Sequence, residues 1–228
     1  MKIMKRALAT VLAAFIVVSL FAPMETQAAA ISGGVHFFSW ANESKTGAYL
    51  SMKSQGITKF QYRVYDNSGS LWKSGSSDVY VSSSASGREL CKVTNLPPRS
   101  CSFVSIRAYK SNAWTSWSSR LTLVPLFRSS WFTLSGNKYT QKETIKWKKI
   151  TGATEYDVYL SLKNNGGWVK TATTRGTSVT LSKYRGAKFK SGKTYYFKVV
   201  AKKKVNGKWV YASGNTGKVY NGWFWFIY

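Results

Sequence analysis

Few side chains in this sequence could move a proton, attack a carbon or hold a metal. His36 is the only histidine among 228 residues, so any Ser–His arrangement would depend on it alone. It lies in Val35-His36-Phe37-Phe38-Ser39-Trp40, which reads as a first strand with the imidazole at a surface or an edge. No serine occupies a Gly-x-Ser-x-Gly elbow, and the Gly-x-x-x-x-Gly-Lys-Ser/Thr phosphate loop does not occur. Zinc needs three or four nitrogen, sulfur or carboxylate ligands, and one histidine with Cys91 and Cys101 does not supply them. Beyond residue 30 the acids are Glu43, Asp66, Asp78, Glu89, Glu143, Glu155 and Asp157. A glycosidase needs two carboxylates opposed across a cleft. Glu155 and Asp157 share a strand face, but beside a lysine-rich hairpin they read as charge balance. The expectation is a non-enzyme with no catalytic residue, no metal site and no cofactor.

What the sequence has in abundance is positive charge. Lys and Arg number 34 against 8 Asp and Glu, a net +26. The excess is concentrated toward the C-terminus: residues 31–130 carry +8, and residues 131–228 carry +16 with 17 lysines. These fall in clusters at Lys146, Lys148 and Lys149, at Lys188, Lys190 and Lys193, and at Lys198, Lys202, Lys203, Lys204 and Lys208. On neighbouring strands they would merge into one positive face, which draws polyanions with strong salt dependence. A surface kept merely soluble mixes signs instead. Lysine acts as a mobile point charge, whereas arginine gives bidentate geometry. The partner expected is therefore diffuse: an anionic cell-wall polymer or acidic polysaccharide first, then an anionic membrane or extracellular DNA.

The segments that would carry these lysines alternate in period two. Phe60-Gln61-Tyr62-Arg63-Val64-Tyr65 does so, as do residues 101–108, 155–160 and 195–201, all rich in Val, Thr, Tyr and Phe. Asn67-Ser68-Gly69, Asn164-Asn165-Gly166-Gly167 and Asn206-Gly207 separate them as turns. No apolar stripe at helical spacing occurs after residue 30, so the chain reads as all-β. The order of strand, Gly-rich loop and second strand occurs twice, each time over about a hundred residues, which is the size of one sandwich. The boundary falls at Val124-Pro125-Leu126-Phe127-Arg128-Ser129-Ser130, giving units at 31–125 and 131–220 and an aromatic tail at 221–228.

Residues 1–30 read as a secretory signal. Lys2, Lys5 and Arg6 precede an uncharged apolar run, and Thr26-Gln27-Ala28-Ala29-Ala30 offers small residues for cleavage. Cys91 and Cys101 would then enter an oxidising compartment and close a small loop around Pro97-Pro98, so a disulfide is expected, with a contribution of about 2–3 kcal/mol.

Two blocks of the second half resemble the fibronectin type III family. Ile145-Lys146-Trp147-Lys148-Lys149-Ile150-Thr151-Gly152-Ala153-Thr154-Glu155-Tyr156-Asp157-Val158-Tyr159 is similar to that family's B-strand tryptophan, B–C turn and C strand. Ser191-Gly192-Lys193-Thr194-Tyr195-Tyr196-Phe197-Lys198-Val199-Val200-Ala201 resembles its E–F turn and F strand, with Tyr195 at the tyrosine-corner position. In the first half Leu96-Pro97-Pro98 and the strand to Ala108 fit, while Ser102 occupies the corner position and no B-strand Trp-x-x-x-Pro block occurs. Trp114-Thr115-Ser116-Trp117-Ser118 resembles the Trp-Ser-x-Trp-Ser element of some type III domains, with Thr in the second place. The resemblance implies that Arg107 stacks between the tryptophans. It implies two immunoglobulin-like antiparallel sandwiches in tandem and says little of chemistry, because such domains serve as spacers, adhesion modules and receptor parts.

The closing residues Asn221-Gly222-Trp223-Phe224-Trp225-Phe226-Ile227-Tyr228 fall after the expected last strand. They either extend a strand back onto the sandwich or present Trp223, Phe224, Trp225 and Phe226 to a membrane, a sugar surface or a protein partner's sheet edge. The leading expectation is a secreted binding or adhesion protein, extracellular or peripherally cell-wall associated, using the lysine face. The competitors are a membrane-active cationic protein and a structural subunit docking through the tail.

Overall fold

The computed structural model describes residues 29–226 except 42–44, 83–85, 138 and 213–221, and for Trp225 and Phe226 the backbone alone. Nearly all of the signal segment lies outside the described residues. The described residues contain eighteen strands, one short 3-10 turn at Ser129–Trp131 and no α-helix, as the period-two alternation requires. Every pairing between named strands is antiparallel.

The first half comprises β1 (His36–Trp40), β2 (Ala48–Lys53), β3 (Lys59–Tyr65), β4 (Leu71–Tyr80), β5 (Arg88–Val93), β6 (Ser102–Lys110), β7 (Ala113–Trp114) and β8 (Leu121–Leu123). Their order is β1-β2-β5-β4-β3-β6-β7, with β8 also on β6. Strand β4 joins the two sides. Its residues 71–78 pair with β3, while Val79 and Tyr80 pair with β5. The ribbon so formed encloses Leu50, Met52, Phe60, Val64 and Ile106, all fully buried, and each such side chain contributes about 1.5–3 kcal/mol. On β3, Phe60, Tyr62 and Val64 point inward, so Lys59, Gln61, Arg63 and Tyr65 line the outer face.

The second half comprises β9 (Phe132–Asn137), β10 (Lys142–Trp147), β11 (Glu155–Ser161), β12 (Val169–Thr174), β13 (Ser178–Leu181), β14 (Lys183–Tyr184), β15 (Ala187–Lys188), β16 (Lys193–Val205), β17 (Lys208–Tyr211) and β18 (Gly222–Phe226). One sheet runs β13-β10-β9 and the other β12-β11-β16-β17, with β18 also on β16. Ile145 and Trp147 from the first sheet meet Tyr156, Val158, Leu160, Phe197 and Val199 from the second in one core. Tyr195 is buried beside it, and its hydroxyl accepts a hydrogen bond from the Lys190 amide at 2.9 Å. This ties the turn before β16 to the strand.

The expected disulfide is corrected here. Cys91 and Cys101 are both free and buried. Strands β5 and β6 do not pair and so form no hairpin; Cys91 faces the core of the first half, whereas Cys101 belongs to that of the second. Burial pushes the Cys91 thiol up to about 12 and the Cys101 thiol up to about 11. Of the two alternatives for the closing residues, the structure shows the first: residues 222–226 extend the sandwich as a strand. They are the last strand, paired with residues 193–197 on the same edge of β16 that β17 occupies further along.

The halves meet closely. Ser100 and Thr151 form a parallel bridge, with Cys101 N donating to Thr151 O and Thr151 N to Arg99 O, each at 2.8 Å. Val124 and Phe127 from the connecting segment are buried in the second core.

Candidate functional site

Alternation along β16 decides which lysines can act together. Tyr195, Phe197, Val199 and Ala201 are buried, so Tyr196, Lys198, Lys202 and Lys204 share the opposite, outer face. Across the ladder Tyr159 of β11 stands beside Lys198, Trp209 of β17 beside Lys204, Tyr211 beside Lys202, and Trp223 of β18 beside Tyr196. The result is a row of aromatic rings interleaved with ammonium groups. Lys198 Nζ sits 4.9 Å from the Tyr159 ring centre and 4.8 Å from that of Trp168. Lys202 and Lys204 flank Trp209 at 4.6 and 5.7 Å. Trp223 is 55% exposed and Tyr211 46%. From Tyr196 to Lys204 the row extends roughly 27 Å at about 3.4 Å per residue.

The centre of this face is a charge network. Lys202 Nζ donates to Asp157 Oδ1 at 2.9 Å and lies 3.2 Å from Glu155 Oε2. Thr173 donates to Asp157 at 2.7 Å, Lys170 approaches it at 3.8 Å, and Arg175 reaches Glu155 at 3.4 Å. Burial by itself raises the Asp157 carboxyl. The hydrogen bonds from Lys202 and Thr173 and the charges of Lys202 and Lys170 outweigh it, so its pKa lies below the usual carboxylate range. Burial likewise lowers Lys202, but its hydrogen bonds and charge pairing with Asp157 and Glu155 leave it raised. Among the described residues Lys198 has no such acid partner, and burial lowers its pKa.

The lysines singled out from sequence therefore divide. Lys146 lies on the outer side of β10, with Lys148 and Lys149 just beyond that strand's end. Their sheet is on the other side of the core from β16, so they do not join Lys198 and Lys204. Lys188, Lys190 and Lys193 are exposed at β15 and at the start of β16, the end remote from Lys204 and Lys208. Lys202 is 6% exposed and held by carboxylates, so its charge is neutralised within the fold. Lys203 points to the junction, donating to Asn67 Oδ1 at 2.6 Å and to Gly152 O at 3.3 Å. A single merged lysine face is thus replaced by one mixed aromatic–cationic face and dispersed lysines around it.

Of the tail residues, Trp223 lies on that face, whereas Phe224 is buried against Tyr195, their rings stacked 5.5 Å apart. Trp225 and Phe226 pair through their backbones with Thr194 and Lys193. Sequence reasoning missed Tyr159, Trp168, Trp209 and Tyr211. For Tyr159, Trp209 and Tyr211 the signal was parity, since each falls on the register that places it beside an outward lysine, which clustering by charge alone ignores; Trp168 reaches Lys198 from just before β12.

The first half carries a related arrangement. Arg107 stacks between Trp114 and Trp117 at 4.9 and 5.0 Å, as the Trp-Thr-Ser-Trp-Ser element implied, and Arg63 of β3 extends the stack 4.2 Å from Trp117. Thr115 and Ser118 hold the element on β6. Thr115 N donates to Ala108 O and its hydroxyl accepts from Ala108 N, and Ser118 repeats both bonds with Ile106. His36 is exposed on the edge strand β1. Among the described residues, no group of three or more His, Cys, Asp or Glu side chains is arranged to hold a metal ion. No family model matches the sequence, and no curated protein shows significant similarity to it.

Proposed function

We propose that this chain is a secreted, non-enzymatic binding protein of two tandem fibronectin type III-like sandwiches, and that it holds an acidic polysaccharide on the outer face of the β12-β11-β16-β17 sheet. The observation that carries this reading is the row Trp223, Tyr196, Lys198, Tyr159, Trp168, Tyr211, Trp209 and Lys204 on one face. Exposed rings give sugar rings a flat apolar surface, and ammonium groups between them meet acidic substituents. The support for the family is the division of strands between sheets, the Tyr195 hydroxyl bond and the arginine–tryptophan stack. The support for secretion is the charge and apolar order of residues 1–30. The net +24 of residues 31–228 hastens capture of a polyanion.

The test is retention on immobilised polygalacturonate, against neutral dextran, across a sodium chloride gradient. The Trp223→Ala/Lys204→Gln variant is expected to elute at clearly lower salt than wild type. Lys146→Gln/Lys148→Gln/Lys149→Gln, which removes more charge on the opposite sheet, is expected to elute later than that variant. If the opposite-sheet variant elutes first, retention follows bulk charge and the proposed face is wrong.

A further inference from the structure

The first half contains a cleft that the lysine-face reading does not use. A cavity of about 610 Å³ is lined by Lys59, Gln61, Asp78, Tyr80, Lys92 and Trp114. A second, of about 390 Å³, adjoins it through Gln61 and Ser76 and is lined by Arg63, Arg107, Trp117 and Ser74. Both volumes lie in the range of small-ligand sites, roughly 300–1,000 Å³.

Four cations border this double cleft and, among the described residues, Asp78 is the one acid lining it. Among the described residues, no carboxylate lies within ion-pair distance of Lys59, Arg63, Lys92 or Arg107. Three of the cations are positioned by rings. Arg63 lies on Trp117, Arg107 between Trp114 and Trp117, and Lys92 Nζ 5.9 and 6.0 Å from the rings of Tyr49 and Tyr80. Gln61 Oε1 accepts from Arg107 Nε at 2.8 Å, which fixes the plane of that guanidinium and leaves its terminal amino groups for another acceptor. Stacking removes most of the side-chain freedom an arginine would otherwise lose on binding, so the site is preorganised for a forked, two-oxygen partner. The second half, by contrast, neutralises its central cation with Glu155 and Asp157.

We infer that this cleft is a second anion site, distinct from the lysine–aromatic face, and that it takes an oxyanion-bearing sugar. The carboxylate or phosphate engages Arg63 and Arg107, the ring lies against Trp114, and Lys92 and Lys59 hold a further charge. Arginine forks match a uronate carboxylate and a sugar phosphate ester equally, so the source is a matter for the probe. Because the residues are all in the first half, the site is separable from the polysaccharide face.

The experiment is calorimetric titration of the full secreted chain with tri-galacturonate, with glucose 6-phosphate and with glucose, at low salt. Binding of either acidic probe without binding of glucose is expected, and which of the two binds identifies the source. Arg63→Gln should weaken that binding at least tenfold, Arg63→Lys should not restore it because charge without the fork is insufficient, and Lys92→Gln should weaken it several-fold. Lys146→Gln/Lys148→Gln/Lys149→Gln, on the sheet remote from both sites, should leave it unchanged. Failure of both acidic probes to bind wild type overturns the inference. So does retention of affinity in both Arg63→Gln and Lys92→Gln, or equal loss in Trp223→Ala/Lys204→Gln, which would assign the probe to the lysine–aromatic face instead.

Discussion

Replacing Lys202 by Met isolates what the charge network at the centre of β16 contributes. Methionine keeps most of the volume beside Trp209 but removes the ammonium that bonds Asp157 at 2.9 Å and approaches Glu155 at 3.2 Å. Orphaning a buried charge by removing its partner costs about 3–5 kcal/mol. Here Thr173 still donates to Asp157, Lys170 remains at 3.8 Å, and Arg175 stays on Glu155. The expected loss is therefore toward the lower end, about 3 kcal/mol at pH 7. Urea unfolding followed by circular dichroism measures it as a shift of roughly 1–2 M in midpoint for a slope near 2 kcal/mol/M.

The pH dependence separates charge from packing. The folded Asp157 pKa lies below 3.8, so the wild-type pair contributes fully above about that value and loses its contribution as pH falls through the folded pKa. Lys202 is raised above 10.5, so its share is complete below that pH and is lost only as pH climbs through the folded value. The gap between wild type and Lys202→Met should be flat between about pH 5 and 10 and narrow below pH 3.8. Adding Asp157→Asn to Lys202→Met should recover more than about 1 kcal/mol by removing the orphan carboxylate. A gap under about 0.5 kcal/mol at pH 7, or one equally large at pH 2.5, would refute the reasoning and leave only lost contact with Trp209.

Phe224→Ala should lower stability by about 3 kcal/mol, because the ring fills a buried place beside Tyr195 and Phe189; a loss near zero in urea unfolding would mean that the strand does not pack there. Gly152→Ala should loosen the junction, since Gly152 holds φ +78° and a Cβ would collide with Asn67, the acceptor for Lys203; faster limited proteolysis near Arg128 reads this out. Neither Cys91 nor Cys101 should react with a thiol reagent at pH 8 while the protein is folded, and both should react in urea, given their burial and raised pKa values. Intact mass measured without reductant should equal that of the dithiol.

Much of the architecture was legible because period-two alternation is a local property. Phe60, Tyr62 and Val64 announce an inward face by sequence alone, and so do Tyr195, Phe197 and Val199, because a strand has only two faces and one must leave water. The arginine–tryptophan stack was half legible: the motif containing Trp114 and Trp117 pointed to Arg107 on the paired strand, but Arg63 comes from β3, distant in sequence and brought alongside only by pairing with β6. The lysine clusters misled for the same reason. Lys202-Lys203-Lys204 is one run of charge in sequence, yet its members end in a carboxylate network, at a contact between halves and in solvent, because neighbouring side chains on a strand point opposite ways. Cys91 and Cys101 are close in the chain, but the intervening segment crosses from one side of the first half's ribbon to the other and delivers them to separate cores.

Strand type, core parity and the surplus of cations were thus determined by the amino-acid sequence, since each depends on residues a few positions apart. Which cations face one another, which are silenced by Glu155 and Asp157, and where Trp223 and Phe224 part company were decided only by tertiary structure. Register between strands is set by the whole core at once, and a shift of a single residue would turn every outward lysine inward.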